Sequence, residues 1–223
     1  MKLAIFDFDG TLFTKDTLPF LLSRWKELKY SKTKYIKAYY SLIFLYIKYK
    51  LGIKTKLSRE EMKLTAVKKF NNIFSGMNEV EIMRYFINSS RDIEPLFNKS
   101  VITELKNASL EGYHTVLLSG SYYNFLKSIG ESLGFDTIIG TKMHFDNEIF
   151  DPSKSLEIIS GPLKAQKILE CFYNKSINWK ESRAYADSYS DIDILKLVGH
   201  PIAVNPENEL KSIATELNWK IIN

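Results

Sequence analysis

The sequence is poor in cysteine, in long apolar runs and in clustered histidine. Cys171 is the single cysteine among 223 residues, so no intrachain disulfide can form. A reducing, cytoplasmic setting is therefore expected. Cys171 lies in the helical pattern "KAQKILECFY" and is expected to be a small buried apolar residue. The longest greasy stretch, "YYSLIFLYI" over 39–47, is far short of the ~20 residues that a membrane span needs. The first apolar run covers only Leu3 to Phe6, so no secretory leader is expected. His114, His144 and His200 lack metal-ligand spacing and are expected to be structural or exposed. No repeat, low-complexity tract or nucleic-acid-binding motif is present, and no nucleic acid partner is expected.

What is present is ample apolar content and an uneven charge. Hydrophobic residues make up 45% of the chain, enough for one core plus a smaller inserted domain. The net charge is +5, but residues 15–70 alone carry 15 Lys and Arg against 4 Asp and Glu, a net +11. The rest of the chain is accordingly at −6. Such a split fits a solvated basic helix surface, attraction of a phosphorylated substrate, or contact with an anionic membrane face. In "YIKAYYSLIFLYIKYK" (35–50), Tyr35, Tyr39, Phe44, Tyr46 and Tyr49 stand among lysines. This reads as an amphipathic helix packing on a partner helix, or as a surface for an anionic membrane or another subunit.

Compact apolar runs mark strands at "KLAIFDF", "YHTVLLSGS", "DTIIGTKM", "RAYADS", "PIAVNP" and "WKII". Helical patterns lie between them, at 95–111, 122–134, 162–173, 190–198 and 207–217. The alternation predicts an α/β fold with a parallel sheet. Residues 17–90 break it, with helical periodicity and no convincing strand. Ser58 is a candidate N-cap there, with Glu60 and Glu61 in the first turn. "MHFDNEIFD" (143–151) reads as a small hairpin turning at Asp146-Asn147.

Ligands of a parallel sheet bind beyond the carboxyl ends of its strands. Here those ends carry Asp7 and Asp9, then Ser119-Gly120, then Asp187 with Asp191 four residues on. Lys164 opens a helix between two of these strands. Asp7 and Asp9 are two residues apart on one side of the strand, and Gly10 permits a sharp turn after them. Carboxylates so close repel one another unless a cation intervenes. Asp7 and Asp187, with a backbone carbonyl, make a hard-oxygen set suited to Mg²⁺.

"DFDGTL", "LLSGS", "GPLKAQKI" and "YADSYSDIDIL" occur in the order of the four motifs of the haloacid dehalogenase superfamily, which the chain resembles over nearly its whole length. The helical insertion and the tail resemble its phosphoserine-phosphatase-like branch. The resemblance implies a Rossmann-like core, 1–14 and 92–223, with an all-helical cap inserted at 15–91 that closes over the site and selects the substrate. It implies a Mg²⁺-dependent phosphatase acting on a small phosphorylated metabolite. Asp7 resembles the nucleophile and Asp9 the general acid and base, which also lends its carbonyl to the metal. Thr11, Ser119 and Gly120 resemble the phosphate-binding groups, Lys164 the charge-neutralising lysine, and Asp187 and Asp191 the metal ligands. Phosphoserine phosphatases usually carry Ser where Gly10 stands here, a hinge Glu where Asp16 stands, and a cap Arg that an ungapped count places at Phe70, beside Lys68 and Lys69. Asp16 is expected to favour a substrate with an amine, or to cap the following helix. Two other functions remain open at this point: phosphoryl transfer to a second alcohol, and a binding or membrane-surface role on the same fold.

Overall fold

The computed structural model describes residues 1–52 and 58–223. Its strands are β1 (Leu3–Phe6), β2 (His114–Tyr122), β3 (Thr137–Thr141), β4 (Phe145–Asp146), β5 (Ile149–Phe150), β6 (Arg183–Ala186), β7 (His200–Val204) and β8 (Lys220–Ile222). Its α-helices are α1 (Thr17–Glu27), α2 (Lys32–Leu51), α3 (Arg59–Asn71), α4 (Glu79–Ser90), α5 (Lys99–Leu110), α6 (Tyr123–Leu133), α7 (Pro162–Cys171), α8 (Ile192–Leu197) and α9 (Asn208–Glu216). The chain divides into two compact units: 1–16, 92–142 and 158–223 form one, and 17–91 with 143–157 form the other.

The first unit is built on a six-stranded sheet in the order β3-β2-β1-β6-β7-β8. All its pairings are parallel. A parallel sheet is covered on both faces, so its central strands must be apolar throughout. The "LAIF" of β1 meets that demand, with all four residues buried. Leu3, Ile5, Val116, Leu118, Ile168 and Leu195 share one core cluster. Phe6 instead stacks on Tyr185, with ring centroids 4.3 Å apart. The six strands expected in this sheet are all present, with ends moved by a few residues.

Cys171 departs from expectation, because it is exposed. It ends α7, and the buried position at that turn is taken by the next residue, Phe172.

The second unit is helical, built from α1 to α4. Trp25, Phe70, Phe74, Tyr85, Phe86 and Phe150 form its buried aromatic centre. Phe74 meets Phe70, Tyr85 and Phe86 at centroid distances of 5.6 Å each. Phe70 is thus a core residue, and the position that ungapped counting gave to a substrate-binding arginine faces the helical interior. Beside it, Lys69 Nζ donates to Ser41 Oγ at 3.3 Å. Helix α3 opens on a capping box: Ser58 Oγ accepts from the Glu61 N–H at 3.1 Å, and Glu61 Oε2 accepts from the Ser58 N–H at 2.8 Å. The part of the helical expectation that falls on 53–57 lies outside the described residues.

The hairpin of β4 and β5 belongs to this helical unit; the sequence boundaries had left it in the core. Phe150 N–H donates to Met77 O at 2.9 Å and Glu79 N–H to Glu148 O at 3.0 Å. Its turn is Asn147-Glu148, both with positive φ (47° and 67°), one residue later than expected. Positive φ at both central residues is the geometry that matches strand twist in a two-residue hairpin. Among the described residues, no helix is long and apolar enough to cross a membrane.

Candidate active site

The register brings three site positions to one level of the sheet. Phe6 of β1 pairs with Leu117 of β2 and with Tyr185 of β6. Asp7, Ser119 and Asp187 therefore all lie within two residues beyond this row, Asp7 and Asp187 just past the ends of β1 and β6 and Ser119 still within β2. Asp7 N–H donates to Tyr185 O at 3.0 Å, which fixes the first carboxylate at the sheet end.

Lys164, on the first turn of α7, is buried and reaches two carboxylates. Its Nζ donates to Asp7 Oδ1 at 2.7 Å and lies 2.7 Å from Asp191 Oδ1. The second contact is a buried ion pair, so one ammonium serves both carboxylates. Lys167, a second lysine of the same "GPLKAQKI" motif, pairs with Glu170 at 3.1 Å. On the other side of Asp7, Thr11 Oγ1 lies 3.4 Å from both Asp7 Oδ2 and Asp187 Oδ1. One oxygen from each of Asp7, Asp187 and Asp191 falls within 4.8 Å of the others.

Burial dominates the electrostatics. It pushes the Asp7 carboxyl up from 3.8 to about 8; Lys164 pulls it down, while Asp191 and Asp187 push it further up. Burial alone would lower the Lys164 ammonium, but Asp191 and Asp7 outweigh this and raise it. Asp7 and Asp191 thus share one buried ammonium, with the Asp187 charge beside them. The pairing strengthens the charge on Lys164 yet leaves Asp7 short of compensation.

Gly10 has a role beyond turning the chain. Its φ is +78°, and a Cβ there would lie 2.3 Å from Asp187 Oδ2. Gly10→Ala is expected to cost about 1–3 kcal/mol of stability from the strained backbone, and to displace the Asp187 carboxylate. Urea unfolding checks the first effect. Loss of any added stability on titrating Mg²⁺ checks the second.

Ser119 is buried, and its Oγ accepts from Ser121 N–H at 3.1 Å. Gly120 O accepts from Thr141 Oγ1 at 2.8 Å, and a Cβ at Gly120 would meet Ile159 O at 2.9 Å. Asp9 is half-buried two residues beyond Asp7 and stands outside the group of three carboxylates. Asp16 is exposed just before α1. His114 bonds Thr137 Oγ1 at 2.8 Å, and His144 and His200 are exposed.

Sequence reading missed Glu207. It sits before α9 and holds the loop between Asp187 and Asp191. Its N–H donates to Asp187 O at 3.0 Å. Its Oε1 accepts from Ser188 Oγ at 3.1 Å and from Tyr189 N–H at 2.8 Å. Nothing in "NPENEL" separates this carboxylate from an ordinary acid at a helix start.

Residues 4–196 match the haloacid dehalogenase-like hydrolase family. The chain belongs to this family. As a haloacid dehalogenase-like hydrolase, it has phosphatases among its relatives. It is 33% identical over 110 residues to phosphoserine phosphatase SerB1 of Mycobacterium tuberculosis, covering 49% of this chain and 36% of that one. The chain therefore spans about a third of the length of the first curated relatives it matches. It is 25% identical to histidinol-phosphatase of Neisseria meningitidis, over 100% of this chain and 98% of the relative. In structure it resembles a protein of unknown function from Bordetella pertussis Tohama I. That likeness has a TM-score of 0.80 at 19% identity, over 100% of this chain and 98% of the other.

The site residues of this hydrolase fit a divalent cation. The donors are hard carboxylate oxygens within one ion's reach, and their repulsion is only partly met by Lys164. Asp7 Oδ2 and Asp187 Oδ1 both lie 3.4 Å from Thr11 Oγ1, while Lys164 bonds the other Asp7 oxygen.

Proposed function

We propose that this chain is a Mg²⁺-dependent phosphatase that hydrolyses a small phosphomonoester through an aspartyl-phosphate on Asp7. The observation that carries this reading is Asp7 itself. It is a buried carboxylate at a strand end, bonded to Lys164 on one oxygen and bordered by Thr11 and Asp187 on the other.

Asp7, Asp187 and the backbone carbonyl of Asp9 would hold Mg²⁺, with Asp191 as a further ligand or acting through Lys164. Bound there, the ion offsets the negative charge shared by Asp7 and the phosphoryl oxygens. An Asp7 oxygen attacks phosphorus, and the phosphorus–oxygen bond to the alcohol breaks. The Asp9 carboxyl gives its proton to the leaving alkoxide. Asp9, now a carboxylate, takes a proton from water, which attacks phosphorus and releases inorganic phosphate with Asp7 restored. Such proton transfer contributes ~10²–10⁴-fold. The Ser119 hydroxyl, the Gly120 N–H and Thr11 hold phosphoryl oxygens, and Lys164 balances the charge on Asp7. Asp16, exposed and acidic, favours a substrate with an amine; the phosphoesters named for the two enzyme relatives both carry one.

Phosphate release from phosphoserine, phosphoethanolamine, a lipid phosphate and an aryl phosphate, with and without Mg²⁺, tests this. Release is expected only with Mg²⁺, and amine-bearing esters are expected to lead. Release that persists in a chelator, or no release from any ester by folded protein, contradicts it. Glu207→Ala leaves all direct ligands in place but removes the acceptor of the Ser188 and Tyr189 bonds, which loosens the loop that carries two of them. It is expected to raise the Mg²⁺ concentration for half-maximal activity ~10–100-fold, read from Mg²⁺ titrations of phosphate release.

A further inference from the structure

Helix α2 turns its apolar side outward. Ile36, Tyr40, Ile43, Phe44, Ile47 and Leu51 are between 37% and 67% exposed, whereas only Ala38 and Leu45 are buried. At 100° per residue these six residues share one outer face, and Ala38 and Leu45 lie on the opposite one. The buried side packs against α1 and α3. A helix of an ordinary soluble domain has the reverse arrangement. An apolar ridge this long, left open by the described residues, marks an interaction surface.

The charges around the ridge identify the partner. Lys32 and Lys37 stand at one end and Lys48 and Lys50 at the other, and residues 32–51 contain no acid. Lys48 Nζ lies 4.5 Å from the centre of the Phe44 ring and Lys50 Nζ 5.7 Å from that of Tyr46. Aromatic rings with lysines folded over them suit the boundary between acyl chains and headgroups, where the stem stays apolar and the ammonium reaches phosphate. A second copy of the helix is disfavoured, because facing ridges would bring lysine against lysine at both ends. An anionic layer complements both the apolar ridge and its basic ends.

We propose that α2 lies in the plane of an anionic phospholipid bilayer surface, with the Ile36–Leu51 ridge at the acyl boundary and the flanking lysines on lipid phosphates. The lysines bring the protein to the surface and the ridge holds it there. The net +11 of residues 15–70 adds long-range attraction to an anionic surface. This does not depend on the catalytic reading.

Flotation with vesicles of phosphatidylcholine, alone or mixed with phosphatidylglycerol, tests it. The protein is expected to float with the mixed vesicles, not with the neutral ones, and to be released as salt rises. Phe44→Asp with Ile47→Asp is expected to lower binding at least tenfold, with thermal stability and phosphate release from an aryl ester unchanged. Lys37→Gln with Lys50→Gln, which leaves the ridge intact, is expected to lower it roughly tenfold. The proposal is overturned if the protein stays down with anionic vesicles, or if the double aspartate variant binds as wild type does. It is equally overturned if the wild type is a dimer in solution that the aspartates dissolve, which would make the ridge a contact between copies.

Discussion

Asp7→Asn is expected to lower phosphate release by at least about 10⁴-fold while making the metal-free protein more stable. The two effects have one cause. In the proposed reaction Asp7 forms the bond to phosphorus, and an amide oxygen in its place is a poor nucleophile. The same carboxylate is a burden on the fold. It is buried beside Asp187 and Asp191, and the Lys164 ammonium is paired with Asp7 and Asp191. A carboxyl raised from 3.8 to about 8 in the folded state withdraws stability as pH rises through that interval. At neutral pH the wild type already bears most of that loss, and asparagine does not. The unfolding midpoint without divalent cation is thus expected to be higher for Asp7→Asn at pH 7 and to converge with wild type near pH 4. Added Mg²⁺ is expected to stabilise the wild type more than the variant. Equal midpoints across this range would mean that Asp7 is not a strained carboxylate.

Lys164→Met is expected to be the most damaging change to stability at the site, about 3–5 kcal/mol. The side chain is 9% exposed and has carboxylate oxygens at 2.7 Å on two sides. Methionine has similar volume and no charge, so packing is preserved while Asp7 and Asp191 lose their shared ammonium. Activity is expected to fall ~10²–10³-fold, the scale of removing one preorganised electrostatic group. Lys164→Arg is not expected to rescue it, because a planar guanidinium cannot take the place of a compact ammonium between two converging oxygens. Urea midpoints and kcat check both statements. A change under about 1 kcal/mol would place Lys164 with the surface pairs.

Much of the catalytic unit was legible because it is written locally. The "LAIF" run must be buried on both faces, so it reads as a central strand, and whatever follows it must sit at the sheet's end. Asp7, Asp187 and Ser119 were found that way, and the structure places them side by side. Lys164 against Lys167 was not decided by spacing; burial decides it, and only the folded helix shows which residue faces Asp7. The segment 143–157, which carries the hairpin, groups with the helical unit through Phe150 and two backbone bonds to residues 77 and 79, contacts distant in sequence that no local pattern shows. Phe70 was aligned by counting, which cannot see that its ring points into an aromatic cluster. In α2 the periodicity announced a helix but not its orientation. Phe44 and Ile47 have the composition of a core and the position of a surface.

The central claim is that Asp7 accepts the phosphoryl group. Borohydride quenching during turnover of an aryl phosphate, followed by peptide mass mapping, tests it most directly. An acyl phosphate is reduced to the alcohol, so the account predicts homoserine at position 7, dependent on Mg²⁺ and on substrate. Active enzyme whose Asp7 stays unmodified, or whose modification falls on another residue, would contradict it.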